Sequence, residues 1–229
     1  MIRSVLFPIF IFIVSFSLRS IMVAQGCHEY FPYKTGTEWE ITMYDDKDKV
    51  ISTNTYKILK QDGTNYDVAI HSVDPKGKEK LNITTHWKCE NDQLSFEMKD
   101  FFPPSAAMNN TKAELKMTGD NLNYPKHLVP GQTLQDANST MEMYIDGMRF
   151  MNMQMKVYDR KVENNETVTT PAGTFDCIKL SQMTDVKSMF NVKGKSVLWL
   201  AKEHGMVKTQ TYSEKGKLSS TQLMTKFKS

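Results

Sequence analysis

Glu38-Trp39-Glu40-Ile41-Thr42-Met43-Tyr44-Asp45-Asp46-Lys47-Asp48-Lys49-Val50-Ile51 is the stretch that decides the fold class of this chain. Trp39, Ile41 and Met43 fall on one side of an extended chain while Glu38, Glu40 and Thr42 fall on the other, the two-residue period of a half-buried strand. The polar run Asp45-Asp46-Lys47-Asp48 then breaks the alternation as a tight turn does. Outward from here the same punctuation recurs at Asp62-Gly63, Pro75-Lys76-Gly77 and Asn91-Asp92, about fifteen residues apart. It returns at Asp146-Gly147, Asn164-Asn165, Lys193-Gly194, His204-Gly205 and Lys215-Gly216. Strands of roughly ten residues joined by such turns form an antiparallel meander. No long window has a 3.6-residue period. The one helical candidate is a turn or two from Pro104 to Lys112, where proline can start a helix and Ala106-Ala107-Met108 favour one. The expectation is an all-β protein: a strongly curved antiparallel meander sheet or open β-barrel, with at most one or two short helical turns.

The segment from Tyr44 to Thr53 is echoed by that from Tyr212 to Thr221, both Lys-rich at their centres. Ancient duplication and shared hairpin chemistry both account for two matching copies.

The 229 residues carry 29 Lys and Arg against 26 Asp and Glu. Two of those positive charges, Arg3 and Arg19, lie in residues 1–24, which contain no acid. A short positive start, the uncharged run from Val5 to Leu18 and a small residue at Ala24 make a signal peptide. Its fourteen apolar positions would cover roughly 21 Å as a helix, short of a hydrocarbon core of about 30 Å. Residues 25–229 then form a single β domain with 27 basic and 26 acidic side chains. That balance excludes a nucleic-acid binder driven by net charge. Arginine, the residue suited to bidentate phosphate or base recognition, occurs there only as Arg149 and Arg160.

Cleavage after Ala24 leaves a soluble chain starting Gln25-Gly26-Cys27, whereas cleavage after Gly26 leaves Cys27 as a lipidated first residue. Cys27, Cys89 and Cys177 are an odd set. A lipidated Cys27 frees Cys89 and Cys177 to pair in an oxidising compartment; an unmodified Cys27 can pair with either, and three reduced thiols are also open. With no CxxC, thioredoxin-like chemistry and zinc ribbons are unsupported.

Six methionines fall between residues 141 and 155, flanking Asp146-Gly147. If Asp146-Gly147 is a two-residue turn, Ile145 faces Met148 and Met143 faces Phe150. If Gly147 ends a three-residue bulged loop, Met141 faces Met151, and Met141, Met143, Met151, Met153 and Met155 line up with Val157 as one stripe. Adaptable thioethers suit a ligand-lining surface and suit an ordinary core equally. These five methionines are the expected place for a ligand.

The histidines at 28, 71, 86, 127 and 204 have no metal-ligand spacing, so neither a metal nor a cofactor is expected. There is no GxSxG elbow, phosphate-binding glycine loop or HExxH, and Asp45-Asp46 is explained by a solvated turn. The chain is expected not to be an enzyme.

Four strings in order carry a family resemblance: Tyr30-Phe31-Pro32-Tyr33-Lys34-Thr35-Gly36-Thr37-Glu38-Trp39-Glu40, then Leu128-Val129-Pro130-Gly131-Gln132-Thr133-Leu134, then Thr170-Pro171-Ala172-Gly173-Thr174-Phe175, and last Trp199-Leu200-Ala201-Lys202 leading to Gly205-Met206-Val207-Lys208. Over nearly the whole mature chain they resemble the TapB-like family of exported bacterial proteins, a domain-of-unknown-function group common in Bacteroidetes. Glu203-His204 stands where that family usually has glycine. The resemblance implies a curved antiparallel sheet or open barrel loosely similar to the LolA/LolB lipoprotein carriers, and no catalytic residue.

Together these readings predict an exported protein of the periplasm, outer-membrane surface or exterior. Its expected role is a non-enzymatic binding or carrier module for an apolar small molecule, lipid or acyl chain. The alternative is an interaction accessory with a protein partner in an envelope or secretion assembly. No nucleic-acid partner is expected, and membrane attachment only if Cys27 is lipidated.

Overall fold

The computed structural model describes residues 29–96, 113–189 and 191–229. The leader, Cys27 and the helical candidate from Pro104 to Lys112 lie outside them, and among the described residues there is no helix. The strands are β1 (Glu38–Asp45), β2 (Val50–Asp62), β3 (Asn65–Val73), β4 (Glu79–Glu90), β5 (Gln93–Phe96), β6 (Ala113–Gly119), β7 (Leu122–Pro125), β8 (Ala137–Ile145), β9 (Met148–Thr170), β10 (Gly173–Lys187), β11 (Asn191–Ala201), β12 (Gly205–Ser213) and β13 (Leu218–Lys228). They form one open, antiparallel sheet in the order β6-β8-β9-β10-β11-β12-β13-β1-β2-β3-β4-β5-β7. The expected curved, open all-β architecture is the one observed.

Two features of this order force curvature. The first and last strands, β1 and β13, pair in the middle of the sheet, from Glu38 opposite Lys228 to Asp45 opposite Ser220. The two edge strands, β6 and β7, are separated in the chain only by Asp120 and Asn121. Two residues cannot span a flat sheet of thirteen strands at about 4.8 Å each, so the sheet curls until its edges meet at this bend. Gly119 makes the bend: its φ is +112°, and a Cβ there would stand 2.2 Å from the Asn138 carbonyl oxygen.

Most expected turns are turns; two are not. Asn164-Asn165 lies inside the 23-residue strand β9, next to a register shift against β10 that lets so long a strand bend. Lys193-Gly194 lies inside β11, where a Cβ on Gly194 would meet the Tyr212 carbonyl oxygen at 2.6 Å. Glycine there serves a close strand approach, and the chain reverses between Lys187 and its partner Asn191.

The echoed hairpins do share a geometry. Asp45 N–H donates to Lys49 O and Asp48 N–H to Asp45 O; Ser213 and Gly216 repeat this with Lys217 and Ser213. The turn at 74–78, outside the echo, has the same pair of bonds. Common turn chemistry therefore accounts for the likeness.

Both faces of β10 and β11 are buried over part of their length, which is why these two strands alternate poorly. One cluster gathers Trp39, Ile41, Ile58, Tyr66, Val68 and Trp87 with Val197, Val207 and Met224. The other packs Leu128 and Leu134 of the 126–136 loop against Val162, Ile178, Leu180, Leu198 and Leu200. Past the end of β8 this loop takes the place beside β9, with Leu134 N–H donating to Arg160 O and Val162 N–H to Gln132 O.

Candidate functional site

The described cavity with the most apolar walls lies inside the curl of the sheet, between strands far apart in the order. Its volume is about 210 Å³. Trp39 and Ile41 come from β1, Tyr56 from β2, Trp87 from β4, Leu94 and Phe96 from β5, Tyr124 from β7, Leu198 and Leu200 from β11, and Gly205 and Met206 from β12. Tyr30, Phe31 and Pro32, ahead of β1, complete the wall. No lining side chain carries a formal charge at neutral pH.

Strand register brings the rings together. Trp39 and Tyr56 are direct cross-strand partners and stack at 5.2 Å with planes 6° apart. Trp87 and Phe96 are likewise partners, edge to face at 4.8 Å. Phe31 joins Trp87 at 4.7 Å and Tyr66 at 5.4 Å; Phe96 reaches Tyr124 at 5.9 Å. Such offset and edge-on pairs add roughly 0.5–1.5 kcal/mol each beyond burial, so the wall is rigid before any ligand arrives. Trp87 is further fixed by its Nε1–H, which donates to Thr85 Oγ1 at 2.7 Å, while that hydroxyl donates to Val68 O. Burial pushes the Tyr56, Tyr66 and Tyr124 phenols up from their ordinary pKa, for Tyr124 against the opposing pull of Arg160.

Arg160 on β9 is fully buried behind Tyr124, its guanidinium 4.8 Å from the ring centre. Nη1 donates to Asn123 O and Gln135 O, at 3.1 and 2.8 Å, and Nε donates to Gln182 Oε1 at 3.3 Å. These bonds run from β9, near one end of the strand order, to β7 at the other end. Arg160 thus spans the opening of the sheet with hydrogen bonds that no strand pair supplies there.

The segment Glu29–Pro32 is pinned across the cavity wall at its first residue. The Glu29 carboxylate accepts from Lys202 Nζ at 3.0 Å and contacts His127 Nδ1 at 2.8 Å. Glu203 N–H donates to Glu29 O at 2.7 Å. The Lys202 bond, helped by His127, holds the Glu29 carboxyl below its usual pKa against the opposing effect of slight burial.

A second, more polar groove of about 830 Å³ shares Tyr30 with the cavity and is lined by Asn165, Thr167, Cys177, Lys202 and His204 among others. Cys177 is a free, buried thiol pushed up to about 11 by burial first, then by Asp176 and Glu166. Cys89 is disulfide-bonded. Cys89 and Cys177 are therefore not joined to each other, which closes that pairing.

The five methionines line neither this cavity nor this groove. Their hairpin starts in the first expected register and then leaves both. Ile145 faces Met148 across a two-residue turn, and a bulge between Met143 and Tyr144 then sets Met143 opposite Met151 and Met141 opposite Met153. Met155 faces Ser139. The single stripe forms, extended by Met117 and Leu115 of β6, with Met141 and Met143 buried and Met151, Met153 and Met155 half-buried. The aromatic wall went unseen in the sequence because its rings come from six separated segments. Trp39, Trp87 and Phe96 each fit an ordinary strand core.

Among the described residues no group of three or more His, Cys, Asp and Glu could hold a metal. His71 pairs with Glu79, His127 with Glu29, and His204 sits between the Phe175 and Phe227 rings.

A family model described as DUF3108-like matches residues 34–224. The chain belongs to the DUF3108-like family. The narrower TapB-like name gains no support from that match. Among solved structures, a candidate exported protein with a YmcC-like fold from Bacteroides fragilis NCTC 9343 is 26% identical with a TM-score of 0.67, covering 89% of this chain and 100% of its own. A candidate lipoprotein from Parabacteroides distasonis ATCC 8503 is 24% identical with a TM-score of 0.70, at the same coverage. The hypothetical lipoprotein YmcC of Escherichia coli K12 aligns at 7% identity with a TM-score of 0.34, over 83% of this chain and 84% of its own. None of the three carries an enzymatic name. No curated protein matches the sequence significantly.

Proposed function

We propose that this DUF3108-like protein is an exported, non-enzymatic binding protein of the cell envelope that holds one slim apolar group, an acyl chain or a lipid group of similar width, in the aromatic cavity. The observation that carries this reading is a ring-lined space of about 210 Å³ with no charged lining residue. At ~30 Å³ for a water-sized group it takes on the order of seven such groups, below the range of about 300–1,000 Å³ usual for drug-sized ligands. That suits a single chain segment rather than a whole phospholipid. Because Tyr30 lines both spaces, a polar end on the chain would meet the groove beside Lys202, His204 and Thr167. The leader-like first 24 residues and the description of the Bacteroides fragilis relative support export.

Trp39 and Trp87 report on the cavity directly. Titration with a medium-chain fatty acid should shift their emission saturably. Met206→Trp, which fills the cavity from a half-buried position, should weaken binding about tenfold or more, the discrimination expected when apolar contact is lost in a pocket. An unsaturable response, or equal binding by Met206→Trp, would remove the proposal.

A further inference from the structure

Antiparallel order sends every second hairpin to the same end of a sheet, so the turns β1–β2, β3–β4, β8–β9, β10–β11 and β12–β13 share one rim. Among the described residues, six of the eight exposed large apolar side chains lie there: Met148 at 74%, Phe150 at 69%, Met189 at 87% and Val192 at 61%, with Val50 and Ile51 less exposed. Core packing explains none of them, and among the described residues the opposite end contributes only Leu59 and Val129. The hairpins that carry them stand close together in the strand order, with the Lys-rich β12–β13 turn between the last two.

Charge follows the same division. Residues 46–50, 74–78, 146–150, 187–193 and 214–217 hold nine Lys and Arg against five Asp and Glu. The other described residues hold 16 against 19. Of these cations Arg149 pairs with Glu142, Lys193 with Asp185 and Lys217 with Asp46, so the positive surplus of the rim rests on its lysines unpaired among the described residues. Lys187 and Lys215 make no ion pair among the described residues, so their ammonium groups are available to an anionic surface. Exposed apolar tips interleaved with lysine on short hairpins can enter the headgroup layer while the ammonium groups meet lipid phosphates.

We propose that this rim docks on the surface of an anionic phospholipid bilayer. A protein groove would require the tips to fit a fixed shape, whereas a bilayer accepts them at different depths, which their stepped registers demand: Gln154 of β9 lies opposite Lys187 of β10, so the β8–β9 hairpin projects beyond its neighbour. Glu29 lies at the opposite end, beside the β11–β12 turn, so docking leaves the cavity wall formed by Tyr30 and Phe31 untouched.

Flotation with phosphatidylcholine vesicles, with and without phosphatidylglycerol, tests this on the full mature chain. The wild type should bind the anionic vesicles, and less so as salt rises. Met148→Asp with Phe150→Asp should reduce that binding about tenfold, as should Lys187→Glu with Lys215→Glu at low salt. Leu59→Asp, at the other end, should bind as wild type. Met206→Trp should also bind vesicles normally, so loss of ligand binding and loss of docking are separable. Equal binding to neutral and anionic vesicles, or equal binding by the rim variants and wild type as a lipid tether or a different surface would give, overturns the proposal.

Discussion

Arg160 ties β9 to β7 across the opening of the curled sheet. A hydrogen bond from a charged donor contributes about 1.5–3 kcal/mol, and each carbonyl left bare in a buried site costs roughly 1–3 kcal/mol. Arg160→Ala strands Asn123 O and Gln135 O and removes packing from Tyr124, so a loss of about 3–5 kcal/mol in urea unfolding is expected. An unchanged midpoint would deny Arg160 this role. In the sequence it is one charge in Tyr158-Asp159-Arg160-Lys161, which reads as a solvated strand face. Its burial follows from the 126–136 loop and β7 arriving from elsewhere in the chain, which no local pattern records. Glu29 carries a pH signature. Its carboxyl pKa is depressed in the folded state, chiefly by the Lys202 bond, so its contribution is present above the unfolded value near 4.3 and is lost as pH falls through the lower folded value. The gap in urea midpoint between wild type and Glu29→Gln should therefore be present at neutral pH and vanish in strong acid; a gap that persists there would contradict the assignment. Cys177, buried and pushed up to about 11, should resist alkylation at mildly alkaline pH until the chain is unfolded. Rapid native labelling would show an open thiol.

At the scale of elements, the strands were legible where one face is wet and illegible where both are covered. Trp39 and Ile41 alternate cleanly with Glu38 and Glu40, while Cys177, Ile178 and Leu180 are all buried because the loop bearing Leu128 and Leu134 covers what would otherwise be a solvent face. Leu180→Ala, in that second cluster, should cost about 2–5 kcal/mol, measured by urea unfolding; a cost under half of that would mean the loop is not packed on β10. Glycines misled for a related reason. Gly194 marks the closeness of β12 and not a chain reversal, and only the neighbouring strand reveals it. The methionine hairpin shows a third limit. The sequence offered two registers; the hairpin takes the two-residue turn, and a bulge between Met143 and Tyr144 then lines up the methionines with pairings that neither register contained.

At the scale of the whole molecule, a meander whose edge strands are two residues apart must close around something, and what it encloses is an aromatic cavity rather than the methionine stripe. The curved all-β class was readable from turn spacing because turns are local. The cavity was not, since Trp39, Trp87 and Tyr124 meet only after the first and last strands pair in mid-sheet and the edges curl together. The rim of lysines and exposed apolar tips was likewise hidden by a net charge near zero. Rigid rings, an uncharged wall and a volume fit for a chain segment make the cavity the centre of the functional account. A crystal structure with a bromine-tagged medium-chain fatty acid measures this most directly. The account predicts an anomalous bromine peak enclosed by Trp39, Trp87 and Phe96. A peak confined to the Met151–Met155 face, or none within the sheet at saturating ligand, would contradict it.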